Sequence, residues 1–336
     1  MADGNRTDRR TCILIPLDGS EAATKAIPQA LRVAAGPATL ILLHVTAKAE
    51  LPVGLPEGFM QRRADLLRQR QDTAADTLGA VATRLRQAHP DVAVDTVVDA
   101  GDPAERILRT AEARGADLIV MATRDHTYAD AANLGSVALR VALKATIPVM
   151  IVRPEFLADQ DGLAPIRRLL VPLDGSHRAA RAIPVAIRLA HQLGVPIEIL
   201  TVIDPNTALP PALAYGLSPD CGSVAETVAA LRFEAHEALR HAEAAVAARG
   251  VRVTTDALYG PVAPCLECAA QPDDVIVMAT HGQARANQKR FGSVAARLIR
   301  NAPVPVIVLR GEPAAEVAVG AFFEDRHLEP TSVLYY

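Results

Sequence analysis

The pentapeptide Pro-Leu-Asp-Gly-Ser stands twice in this chain, at Pro16–Ser20 and at Pro172–Ser176, 156 residues apart. Other segments keep nearly the same spacing. Met121-Ala122-Thr123 returns as Met278-Ala279-Thr280, Gly135-Ser136-Val137-Ala138 as Gly292-Ser293-Val294-Ala295, and Ile147-Pro148-Val149 as Val304-Pro305-Val306, each 157 residues on. Solenoid repeats run to about 20–50 residues, so a period this long means two copies of one domain. The chain has 336 residues, 50% of them hydrophobic, which is ample for two cores.

Each copy alternates short apolar runs with helical patterns. In the first, Cys12–Leu17 reads as a buried strand, followed by a helix over Glu21–Ala35 and a strand at Leu40–Val45. A long helix spans roughly Phe59–Ala88, and a strand alternates through Val92, Val94, Thr96 and Val98. A helix after Gly101, a buried strand at Leu118–Met121, a helix from Ser136 and a strand at Val149–Val152 complete it. The second copy repeats this order from Leu169 to Leu309. Continuous Val/Ile/Leu strands separated by helices predict an α/β fold with a parallel sheet covered on both faces. Asp102-Pro103-Ala104-Glu105 signals one helix start, and Ser223-Val224-Ala225-Glu226 is a capping box for a helix that stops at Gly250. The stripe Val224, Val228, Leu231, Ala235, Leu239, Ala242 and Val246 on that helix reads as core-facing. The expected division is a first domain at 10–153, a linker at 154–166, a second domain at 167–310 and a tail at 311–336. The tail is rich in apolar residues, among them Phe322, Phe323, Leu334, Tyr335 and Tyr336, and has no counterpart in the first copy.

Composition narrows the partners. Aromatics are 3% of the residues, Trp is absent and the net charge is −3, which argues against base-stacking platforms and an electrostatic grip on nucleic acid. No apolar run approaches the roughly 20 residues that cross a bilayer. Met1–Arg10 lacks an apolar signal core. Four cysteines (Cys12, Cys221, Cys265 and Cys268) make no disulfide framework in a chain this long. A cytoplasmic protein with no nucleic-acid or membrane partner is expected.

One stretch carries most of the chemistry. A buried strand ending at Met278 runs into Ala279-Thr280-His281-Gly282, then nine residues, then Gly292-Ser293 and a helix from Val294. Open α/β sheets bind ligands where strand carboxyl ends meet helix amino ends. There the helix offers unpaired backbone N–H groups and partial positive charge. Gly292 permits close approach of a phosphate, Ser293 adds a hydroxyl, and Arg285, Lys289 and Arg290 supply charge. A loop with a Ser cap and no ligand is the alternative. Asp174, on the turn after the first strand of the copy, either accepts ribose or adenine hydrogen bonds or helps Ser176 to cap the next helix. His281 reads as a ligand-orienting group or a surface histidine, and Cys265-x2-Cys268 as core packing or a redox pair. No metal site is expected.

These residues resemble a tandem universal stress protein. The resemblance rests on the Pro-Leu-Asp-Gly-Ser strand end, on Val45 and Val202 closing the second strands, on Gly101–Ala104, and on a Gly/Ala-x2-Gly-x9-Gly-Ser signature. It covers about 10–153 and 166–310. It implies two Rossmann-like, doubly wound domains, each a five-stranded parallel sheet of order 3-2-1-4-5, and binding of ATP, with Mg as its counter-ion. It implies dimers formed through the last strands, hence a homo-oligomer. Carried over, the nucleotide contacts are Pro172, Leu173, Asp174, Val202, Met278, Ala279, Thr280, His281, Gly282, Arg285, Gly292, Ser293 and Val294.

The first copy departs from the signature. Asp18, Val45, Ala122, Gly135 and Ser136 are kept, but Asp125 replaces the middle glycine. A carboxylate there repels a triphosphate and fills the space that glycine leaves; a metal bridging Asp125 to phosphates is the competing idea. The expected function is therefore an ATP-binding, stress-response regulatory module with the nucleotide in the second copy. A slow ATPase and an interaction protein without ligand binding are the alternatives. The chain lacks a Walker-type Gly-Lys-Ser/Thr and an identifiable catalytic carboxylate, so no enzyme activity is assigned.

Overall fold

The computed structural model describes residues 10–46, 57–123, 136–154, 164–204, 224–280 and 291–310, without the side chains of 57–60, 63, 136 and 224–228. The chain divides into two compact units between Leu163 and Ala164. In the first unit β1 (Thr11–Pro16) is followed by α1 (Glu21–Thr24), α2 (Ala26–Ala34), β2 (Ala38–Thr46) and α3 (Glu57–Ala88). Then come β3 (Val92–Ala100), α4 (Pro103–Ala113), β4 (Leu118–Ala122), α5 (Ser136–Lys144) and β5 (Val149–Val152). The strands lie in the order β3-β2-β1-β4-β5, all parallel.

The second unit repeats the plan with β6 (Arg168–Pro172), α6 (His177–Ala180), α7 (Ala182–Leu193), β7 (Ile197–Ile203) and α8 (Val224–Ala247). It continues with β8 (Val253–Tyr259), α9 (Val262–Ala269), β9 (Asp274–Ala279), α10 (Ser293–Asn301) and β10 (Val306–Leu309). Its order is β8-β7-β6-β9-β10, again parallel. Both sheets thus have the expected 3-2-1-4-5 arrangement. Burial follows from it. The inner strand β9 is buried at every residue, whereas the edge strand β8 alternates between exposed and half-buried positions. On α8 the described part of the predicted stripe, Leu231, Ala235, Leu239, Ala242 and Val246, is buried. Ser223 and the side chains of Val224 and Val228 lie outside the described residues, as does the tail.

The helix expected over Glu21–Ala35 is two pieces, α1 and α2, joined at Lys25. Proline explains the break. Pro28 has no N–H to give to the carbonyl four residues back, that of Thr24, where α1 stops. Pro184 has the same relation to Ala180, the last residue of α6.

At the amino ends of the second sheet, Arg168 forks onto Asp274, with Nε–Oδ1 at 3.1 Å and Nη2–Oδ2 at 2.6 Å. Its Nη1 donates to the Glu198 carboxylate and its Nη2 to the Ala269 carbonyl. One side chain therefore ties β6, β7 and β9 together. In the first unit Cys12 stands at this position by the repeat, and Asp117 instead accepts the Cys12 backbone N–H at 2.9 Å.

Candidate functional site

The site is built at the opposite, carboxyl ends of the second sheet. The chain leaves β6 through a turn in which Gly175 takes φ 77°, a left-handed conformation that glycine adopts without strain. Asp174 Oδ1 accepts the Ser176 N–H at 3.0 Å and the Ser176 hydroxyl at 2.6 Å. Ser176 Oγ in turn accepts the Ala179 N–H at 3.1 Å and so caps α6. Leu173 donates its N–H to Leu200 and accepts the Thr201 hydroxyl on its carbonyl at 3.2 Å. The turn is thus bonded to itself and to β7. Of the two roles expected for Asp174, the capping one is directly visible.

From β9 the chain passes through Thr280, whose N–H reaches the Leu309 carbonyl at 2.8 Å. It comes back at Gly292, whose N–H donates to the Thr280 carbonyl at 3.0 Å. That bond anchors both feet of the intervening loop at one point. Gly292 is the N-cap of α10, with φ −59° and ψ 153°, and provides no capping side chain. Those angles suit any residue, so glycine contributes here by its missing Cβ rather than by its backbone freedom.

Between these elements lies a cavity of about 100 Å³. Drug-sized sites typically hold about 300–1,000 Å³, so the described walls alone enclose less than such a site. Pro172, Leu173 and Asp174 line it from β6, Val202 from β7, and Met278, Ala279 and Thr280 from β9. Gly292, Ser293 and Val294 line it from the start of α10. Val202, Met278, Ala279 and Thr280 are buried, Asp174 is half-buried and Ser293 is exposed. Of the remaining expected contacts, His281, Gly282 and Arg285 lie outside the described residues.

Sequence reasoning passed over other walls: Ala179, Leu200, Thr201, Ala295, and the pair Val262 and Leu266 from α9. A signal for α9 was present. Gly260-Pro261-Val262-Ala263 stands where the first copy has Gly101-Asp102-Pro103-Ala104, so the same turn leads a helix to the same sheet end. On α9, Cys265 is half-buried and Cys268 exposed. The buried residues of that helix are Ala263 and Leu266, which corrects the core role expected for the cysteines. Burial raises the Cys265 thiol above its ordinary pKa, and Cys268 and Asp204 nearby push it the same way. Among the described residues no group of His, Cys, Asp and Glu could hold a metal ion.

The first unit copies the turn but not its surroundings. Asp18 Oδ1 accepts the Ser20 N–H at 3.0 Å and hydroxyl at 2.5 Å, and Ser20 Oγ accepts the Ala23 N–H at 3.2 Å. Leu17, however, is buried where Leu173 is half-buried, and strand register sets His44 opposite the position of Thr201. Val45 and His44 line a separate groove of about 580 Å³ against α3. Ala122 ends β4. Asp125, Gly135 and the side chain of Ser136 lie outside the described residues.

With this geometry in hand, comparison with known proteins gives a consistent result. The universal stress protein family matches residues 10–153 and 165–310. A universal stress protein of Methanocaldococcus jannaschii is 34% identical over 148 residues, 43% of this chain and 82% of that protein. One from Mycobacterium tuberculosis is 29% identical over 157 residues, 45% of this chain and 52% of its own length. In three dimensions, a universal stress protein from Archaeoglobus fulgidus aligns over 89% of this chain and 96% of its own, with a TM-score of 0.59 and 22% identity. That last likeness is one of fold. No helix among the described residues is long and apolar enough to cross a membrane.

Proposed function

The chain belongs to the universal stress protein family, and from that premise we propose that it is a nucleotide-binding stress-response module that holds ATP in its second unit. The observation that carries this is the convergence of Asp174, Val202 and the amino end of α10 on one cavity. The donor set fits an adenine nucleotide. Val202, Met278 and Leu266 offer apolar walls to a base. The Asp174 carboxylate is an acceptor for sugar or base donors, with part of its capacity already taken by Ser176. The first-turn N–H groups of α10, left without a capping side chain at Gly292, suit phosphate oxygens.

Binding is favoured over hydrolysis. Asp174 is the single carboxylate lining the described cavity, and it is engaged in its own turn. In-line attack on a phosphate needs a group that activates or orients water, and the described lining supplies no second carboxylate, only the hydroxyls of Thr201, Thr280 and Ser293. The nucleotide then acts as a ligand that biases conformation or assembly of a homo-oligomer, in a cytoplasmic setting.

Equilibrium dialysis with labelled ATP tests the reading. About one nucleotide per chain is expected, because the second copy keeps Gly282 where the first has Asp125. Gly282→Asp should remove it. Two equivalents at comparable affinity, or none, would overturn the assignment. Phosphate release above that of the Gly282→Asp control would move the protein to the ATPases, and light scattering reports the oligomer.

A further inference from the structure

We propose that Cys265 and Cys268 form a reversible dithiol–disulfide pair whose closure moves the α9 wall of the cleft. The two residues are three apart on one short helix, α9, which also carries the cavity-lining Val262 and Leu266. Side chains at this spacing have Cβ atoms about 5–6 Å apart. A disulfide requires about 3.5–4.5 Å. The gap closes if the chain between them leaves helical geometry, which happens most readily at helix ends, where fraying is common. Cys265–Cys268 is such an end: α9 stops at Ala269, and its C-cap, Ala270, is already extended.

Access and order of reaction follow from burial. Cys268 is exposed and meets a soluble oxidant first. Cys265 is half-buried, its thiol directed at the Tyr259 carbonyl at 3.6 Å. Its neighbours, Cys268 and Asp204, together with burial, keep it protonated longer than a free thiol and make it the resolving partner. With a low-molecular-weight disulfide such as glutathione disulfide as oxidant, the Cys268 thiolate attacks one sulfur and releases one thiol, leaving a mixed disulfide. Cys265 then loses its proton and attacks the Cys268 sulfur, and the second thiol departs. Two protein thiols are oxidised by two electrons while one external disulfide becomes two thiols.

Leu266 converts this into a signal. It sits between the cysteines in sequence, is 2% exposed and lines the cavity with Val262. Unwinding that turn moves it relative to the sheet. Formation of the bond is independent of any ligand; its effect on ATP rests on the nucleotide reading above.

The test uses the full chain with Cys12 and Cys221 replaced by Ser. Incubation with glutathione disulfide, then N-ethylmaleimide and intact-mass measurement, should give a species two hydrogens lighter that takes up no maleimide. Cys265→Ser should instead stop at one glutathione adduct on Cys268. A doubly glutathionylated chain, disulfides between chains, or two free thiols would overturn the proposal. The Leu266 methyl signals should shift between the reduced and oxidised forms, and unchanged signals would remove the cleft effect. ATP affinity should differ about tenfold between the two forms, some 1.4 kcal/mol. If the disulfide forms and ATP binds neither form, the nucleotide reading fails and the redox pair stands. If ATP binds both forms equally, the coupling fails.

Discussion

Ser176 gives both its hydroxyl and its backbone N–H to one oxygen of Asp174, at 2.6 and 3.0 Å, and Ser20 does the same to Asp18 at 2.5 and 3.0 Å. The pair is a control within one molecule. Asp174→Ala and Asp18→Ala each remove the same turn bonds, so each should destabilise its own unit by about 1 kcal/mol in denaturant titrations. Only Asp174→Ala should also lower ATP affinity in dialysis. Equal losses of affinity, or no loss from either, would take Asp174 out of the site.

Gly292→Asp should act on stability and binding in opposite directions. The backbone at Gly292 accepts any residue, and Asp is a favoured N-cap, so α10 should hold or gain a few tenths of a kcal/mol. The same carboxylate stands where phosphate oxygens would lie and should lower ATP affinity at least about 100-fold, near 3 kcal/mol. Thermal denaturation and dialysis on one preparation read both signs. Loss of binding together with loss of fold would make the result structural.

Arg168→Leu should unfold the second unit selectively. Asp274 is 2% exposed, and Arg168 is the cation that faces it. Stranding a buried carboxylate typically costs about 3–5 kcal/mol, and the bond from the Gln271 N–H to Asp274 places this case at about 3 kcal/mol. Two transitions should separate in urea, with the first unit's midpoint unmoved. A single shifted transition would mean that the units unfold together.

Asp102 provides a pH test in the first unit. Its carboxylate accepts from Arg140 Nη1 at 2.7 Å and from the Glu105 N–H at 3.0 Å, and these bonds, Arg140 first, hold its pKa below the ordinary aspartate value. The contribution is present above the unfolded pKa of about 4 and is lost as pH falls through the lower folded value. Carboxyl-carbon NMR should find Asp102 titrating below free aspartate, and Arg140→Ala should return it upward. An unchanged midpoint in Arg140→Ala would leave the α4 cap as the sole cause.

Sequence periodicity made the fold legible because inner parallel strands such as β9 are short runs without alternation, set between longer stretches of helical period. Two kinds of feature escaped it. Pro28 and Pro184 were visible, yet their effect falls four residues earlier, on a carbonyl rather than on the proline itself. The Arg168 fork and the Leu266 wall join residues about a hundred positions apart, or on opposite ends of a crossover, and no local pattern records them. For the candidate site, the strand-end motif located the turn, but the contrast between Thr201 and His44 acquires meaning only once strand register aligns them.

The closed Asp–Ser turn has a consequence for how such a chain can change. Its bonds are internal, so each half completes this corner of its fold with nothing bound. The corner closes alike in both halves although the sequence after β4 carries Asp125 where the second half has Gly282. A duplicated polypeptide of this design can let one half drift toward a new task while the other keeps the old one, because folding does not police the difference.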